Sequence, residues 1–238
     1  MSTVIRYIKD YYNQSNKLLL LLVSLFTALL VFINYHFGLD EAVRNNIFPV
    51  KLLCWSIVFG LALIIPYLLT ALLEGSTLFR NRSFTGLLLI AVFLFALKIS
   101  ADFHFSFSKD PGWNHYWNQV IYWPLLLLLL GSLLVIVWKF FHPAEPFYGL
   151  RLKGISWRPY WLMLLFMIPL IALASTQADF QSVYPKMRSI EGLMREENLQ
   201  WWHALLFEVS YGTDFITIEF FFRGFLVLAF VKWAGKDA

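Results

Sequence analysis

Apolar residues along this chain fall into runs long enough to cross a bilayer, separated by short polar or charged stretches. About twenty apolar residues span the hydrocarbon core as a helix. On that measure the pattern predicts about six spans. They cover about Leu18–Phe37, Val50–Leu73, Phe84–Ala101, Val120–Phe141, Tyr160–Ser175 and Trp202–Trp233. Pro66 and Pro169 fall inside the second and fifth spans, and Pro124 falls in the first turn of the fourth. The sixth stretch is longer than a membrane needs and is expected to tilt or project. The expected fold class is all-α: a polytopic transmembrane helical bundle, a single membrane domain over residues 1–238.

Composition agrees with the pattern. Hydrophobic residues make up 59% of the chain and charged residues 14%, against about 25% charged in soluble domains. The first apolar run follows about sixteen polar residues and is long enough to span, so it reads as an anchor rather than a cleaved signal. A single cysteine, Cys54, excludes an intramolecular disulfide. The net charge of +4 is not gathered into a dense basic cluster, so nucleic acid is not an expected partner; membrane lipid is.

Lysine and arginine favour one side of the predicted topology. Arg6, Lys9, Lys17, Arg80, Arg82, Lys139, Arg151, Lys153, Arg158, Lys232 and Lys236 fall on it. Arg44, Lys51, Lys109, Lys186, Arg188 and Arg195 fall on the other. The positive-inside rule then puts both termini in the cytoplasm, with the chain in the cell (inner or plasma) membrane. Trp113, Trp117, Trp123, Trp157, Trp161, Trp201 and Trp202 sit near span ends, as an aromatic belt would. Residues 147–159 suggest a short hairpin or interfacial turn, and residues 190–199 a short amphipathic helix.

The sixth stretch carries the chemistry. Glu219-Phe-Phe-Phe-Arg223-Gly224 lies in the apolar run of residues 215–231. Four residues make about one turn, so the carboxylate and guanidinium share a face and can pair. A charge at the bilayer centre costs roughly 2.5–3.5 kcal/mol on insertion scales, which marks the pair as a candidate site; a lock between helices is the compatible structural reading. Extended at 3.6 residues per turn, Glu208, Gly212, Phe215 and Arg223 fall near the Glu219 face, with Asp214 to one side. A carboxylate short of partners in such a place has a raised pKa and suits a general base, whereas one paired with Arg223 stays ionised. The histidines, His36, His104, His115, His142 and His203, form neither H-E-x-x-H nor a zinc spacing with cysteine, and no G-x-S-x-G elbow is present. Phe32-x3-His36-x3-Asp40 reads as the end of a span. Neither a metal nor a cofactor is expected.

Glu219-Phe-Phe-Phe-Arg223-Gly224-Phe225 resembles the first signature of the CPBP family, the CAAX-protease and bacteriocin-processing enzymes, also called Abi. Its usual form is E-E-x-x-x-R, often continuing as F-R-G, and Phe222-Arg223-Gly224 matches that continuation. Tyr148-Gly149-Leu150-Arg151 and the tryptophan-rich start of the last span also look like that family. The resemblance covers about residues 145–232; residues 1–144 are generic membrane spans. It implies an intramembrane endopeptidase in which a motif glutamate activates water against a peptide carbonyl of a membrane-associated protein or peptide. Arg223 would position the glutamate, and later F-x-x-x-H and H-x-x-x-N/D motifs would serve the oxyanion. Ile218 stands where the family has its first glutamate, and Asp214, one turn earlier, is the substitute the sequence offers. The histidine motifs would lie beyond Ala238. The expectation is therefore the front part of a longer protein or a truncated member, with the 238-residue chain not hydrolysing peptides by itself. The rival readings are a non-catalytic immunity or scaffold protein and an ion-coupled transporter component using Asp214 and Glu219.

Overall fold

A computed structural model describes residues 2–150, 157–190 and 199–234. The chain is all-α, and the described residues include no strand. Short polar signals set the helix ends. The first helix, α1 (Ser2–Gln14), occupies the segment read above only as polar. Asn16 then starts α2 (Lys17–Phe37), its side-chain oxygen accepting the N–H groups of Leu18 at 3.0 Å and Leu19 at 3.3 Å. Gly38, at φ 58°, ends α2 in the left-handed conformation that glycine adopts without penalty. After α3 (Leu39–Arg44), α4 (Phe48–Glu74) begins with a proline in its first turn and runs through Pro66 to Gly75. Asn81 caps α5 (Arg82–Ser100) through Ser83 and Phe84. Asp110 accepts the Trp113 N–H at 2.8 Å at the start of α6 (Pro111–Phe141).

Further along come α7 (Arg158–Ala174), α8 (Ala178–Val183) and α9 (Trp201–Ile218). The last helix continues as a π-helical segment, Glu219–Leu228, and closes with α10 (Ala229–Ala234). Residues 151–156 of the expected interfacial turn and residues 191–198 of the expected amphipathic helix lie outside the described residues, as does Lys236.

Among the described residues four helices are long and apolar enough to cross a membrane: α2, α4, α5 and α6, with 21, 27, 19 and 31 residues. At 1.5 Å per residue α6 is roughly 46 Å long, well beyond a hydrocarbon core of about 30 Å. The fifth expected span, α7, is a shorter apolar helix. Trp161, Leu165, Leu170 and Leu173 are all more than half exposed on it. A helix that is apolar all round has to be buried in protein or in lipid.

The chain forms two compact units. The first comprises residues 1–102, 133–142 and 220–238, and the second residues 103–132 and 143–219. In the first unit α5 is the central helix, with Phe84, Leu87, Ala91 and Ala96 fully buried. Phe59 of α4 meets Phe95 of α5 at 3.9 Å, and Phe95 stacks on Phe221 of the π-helical segment at 5.2 Å. In the second unit Tyr116, Val120, Trp123, Ile190 and Phe207 form the buried core. Asn118 pins the chain ahead of α6, exchanging two 2.8 Å hydrogen bonds with the Phe105 backbone.

Candidate functional site

The carboxylate-bearing helix is anchored at its start by polar contacts and along its length by aromatic ones. Gln200 and His203 form a reciprocal cap, His203 Nδ1 accepting the Gln200 N–H at 3.2 Å. His203 is buried, with its ring stacked on Trp202 and a further contact to Trp113 at 5.0 Å. This histidine is thus a capping residue. Tyr116 donates to the His203 carbonyl at 2.8 Å, Ser210 donates to the Val120 carbonyl, and Trp123 meets Phe207 edge-on at 5.4 Å. These contacts fix α9 against the first half of α6 and settle which side of α9 is buried. His203, Phe207, Ser210 and Thr217 recur at intervals of three, four and seven, the α-helical period.

Glu208 and Glu219 lie away from that side, whereas Asp214, four residues after Ser210 and three before Thr217, lies along it. Glu208 is exposed, Asp214 is half-buried, and Glu219, the last residue of this unit, is exposed. Tyr211 lies between Glu208 and Asp214, three residues from each and within electrostatic reach of both. Its hydroxyl is 3.5 Å from that of Tyr184. This tyrosine pair escaped the sequence reading. Tyr211 was accessible to it, because it falls on the i, i+3 line through Glu208 and Asp214. Tyr184 was not, because it comes from a loop 27 residues away.

Arg223 belongs to the first unit and is also exposed. Here the helix departs from the 3.6-residue extension used above. From Glu219 to Leu228 the backbone is π-helical, with i→i+5 bonding that widens each turn. The buried residues change period to match: Phe221, Phe225 and then Ala229 and Phe230 recur every four to five residues. The wider turn keeps Phe230 in line with Phe221 and Phe225, where a strict α-helix would turn it to the opposite side. Such segments are rare and concentrate at functional places in helices.

His36 is exposed and stacks on Phe32 at 5.1 Å, while the nearby Asp40 pairs with Arg44. His142 is buried in the first unit beside Trp233, at 5.7 Å. Among the described residues no group of three or more His, Cys, Asp or Glu side chains is placed to hold a metal. No protein-family model, curated protein or solved structure matches this chain.

Proposed function

We propose that this is a six-span protein of the cell membrane, with both termini cytoplasmic, and that its last helix is the carboxylate helix of a CPBP-type intramembrane endopeptidase. Glu219 is the motif carboxylate and Arg223 its positioning partner; Asp214 is the second carboxylate, standing in for the family's first glutamate at Ile218. The carboxylate takes a proton from water as the water oxygen attacks the scissile carbonyl, and the guanidinium keeps the carboxylate ionised until then.

One observation supports the reading above others. The helix is held by its packed side, and Glu208, Glu219 and Arg223 are on exposed positions. Charged groups in a membrane helix do not face hydrocarbon; they face water or another polypeptide. A motif on exposed positions of a helix packed by its other residues suits a group that must meet a substrate.

The test is comparison of new peptide N-termini in cells expressing the wild-type protein, with whatever its reading frame encodes beyond Ala238, and its Glu219→Ala variant. Cleavages in or beside membrane segments that vanish in Glu219→Ala support the protease. Identical sets of termini from both sink it.

The same exposure favours a second reading, in which this side of the helix binds a membrane protein without cleaving it. In that case Glu219→Ala and Arg223→Ala lose a crosslinked partner while no peptide terminus changes.

A further inference from the structure

The first unit contains a half-enclosed cavity of about 300 Å³ between α4, α5 and the last helix. Leu63 and Tyr67 line it from α4, Leu88 and Ala91 from α5, and Leu226 and Phe230 from the last helix. Apart from the Tyr67 hydroxyl these side chains are hydrocarbon. The volume is at the lower end of the range for small-molecule sites. Taking a methylene as about the size of a water, ~30 Å³, it holds roughly ten methylenes. The π-helical segment helps to shape it, because its widened turns bring Leu226 and Val227 to the cavity wall.

The cavity lies below one cationic end of the unit. Arg80 and Arg82 flank the start of α5, Lys139 is near the end of α6, and Lys232 is near the end of the last helix; all four are exposed. Aromatic contacts draw these ends together. Phe84 meets Phe230 at 5.8 Å and Trp233 at 6.3 Å, and Trp233 meets His142 at 5.7 Å. Glu74, at the end of α4, adds an acidic residue to this end. Leu88 is six residues into α5 from Arg82, roughly 9 Å along the axis, and Tyr67 is seven residues before Glu74, roughly 10 Å. The depth from basic rim to cavity is that from a phosphate to the upper part of an acyl chain.

We propose that the cavity holds one acyl chain of an anionic phospholipid whose phosphate rests against Arg82 and Lys232. Basic groups above a pocket between membrane helices recognise such headgroups by charge. A dry hydrocarbon cleft takes a chain from the surrounding lipid without giving up a hydrogen bond. A peptide segment would bring backbone polar groups into a cavity with one hydroxyl to meet them.

Native mass spectrometry of the full chain, purified in detergent with dioleoyl-phosphatidylglycerol or dioleoyl-phosphatidylcholine, tests this. The wild-type protein is expected to retain one phosphatidylglycerol at least tenfold better than phosphatidylcholine. Val227→Trp, which fills the cavity from its edge, should lower phosphatidylglycerol retention at least tenfold. Leu226→Phe is the milder filling variant should Val227→Trp not fold, as judged by circular dichroism. Arg82→Gln with Lys232→Gln should reduce the preference between the two lipids to within about twofold. Retention untouched by the filling variants would mean headgroup adsorption alone and overturn the proposal. So would equal retention of both lipids by the wild type, or a bound mass belonging to a peptide.

Discussion

The Tyr116 hydroxyl, on α6, donates a 2.8 Å hydrogen bond to the His203 backbone carbonyl in the first turn of α9, 87 residues away. Tyr116 is fully buried, and its ring also packs against the His203 ring. One side chain thus holds the start of the carboxylate helix by a polar and an apolar contact. Tyr116→Phe keeps the packing and removes the bond, and should cost about 1 kcal/mol. Phe207→Ala, one turn along, leaves a cavity and should cost about 3–5 kcal/mol. Thermal unfolding in detergent reads both; equal losses would mean that the hydrogen bond, not the packing, carries this contact.

The change of helical period makes a second prediction. Phe221 is fully buried in the π-helical segment, whereas Phe215, in the last turns of α9, is 56% exposed. Phe221→Ala should cost about 3–5 kcal/mol, and Phe215→Ala less than about 1 kcal/mol. A straight 3.6-residue continuation would turn Phe230, nine residues on and 1% exposed, to the side opposite Phe221, so a Phe230→Ala loss below about 1 kcal/mol would contradict the period change.

For the motif, exposure decides the expected sign. A pair sealed in a dry core would cost about 3–5 kcal/mol when one partner is removed. Glu219 and Arg223 are both exposed, and exposed charged pairs contribute about 0–1 kcal/mol. Glu219→Gln and Arg223→Gln should therefore leave the melting temperature almost unchanged while removing the proposed activity. A large loss of stability in Arg223→Gln would show that the guanidinium supports the fold.

Topology follows from charge and is checked independently. Reporter fusions after Lys9, Asp110, Arg151 and Glu196 should read cytoplasmic, external, cytoplasmic and external. A cytoplasmic signal at Glu196 would remove the sixth span and with it the membrane depth assigned to Glu219.

Outside the spans, burial raises the pKa of the Tyr148 hydroxyl, and the Glu145 carboxylate adds to the effect. Tyr148 has φ 37°, an unusual backbone for a residue with a side chain, and it is 6% exposed. Its folded pKa lies above the unfolded value of about 10. The stability it contributes is therefore complete below about pH 10 and is lost as the pH rises toward the folded value, because the unfolded state releases its proton first. Alkaline melting curves of Tyr148→Phe should be flatter than those of the wild type above about pH 10; superimposable slopes would remove Tyr148 from that dependence.

The apolar runs and their polar interruptions determined by themselves that the chain is helical and suited to a membrane. The hydrogen-bonding demand of a backbone in hydrocarbon leaves a twenty-residue apolar run little other choice. Local chemistry marked the helix limits as well: Asn16, Gly38, Gly75 and Asn81 each act on groups within a few residues. The motif residues were visible as charges out of place in an apolar stretch. Which side of the helix they occupy was not visible, because that depends on Tyr116, Trp123 and Phe95, which arrive from other helices. Nor was the π-helical turn, since its hydrogen bonds are weighed against the packing of Phe221 and Phe225 on distant partners. Tyr184 comes to Tyr211 only through the folded loop that carries it. Contacts within one turn are settled by neighbours along the chain, and contacts between helices by whichever arrangement fills the space between them.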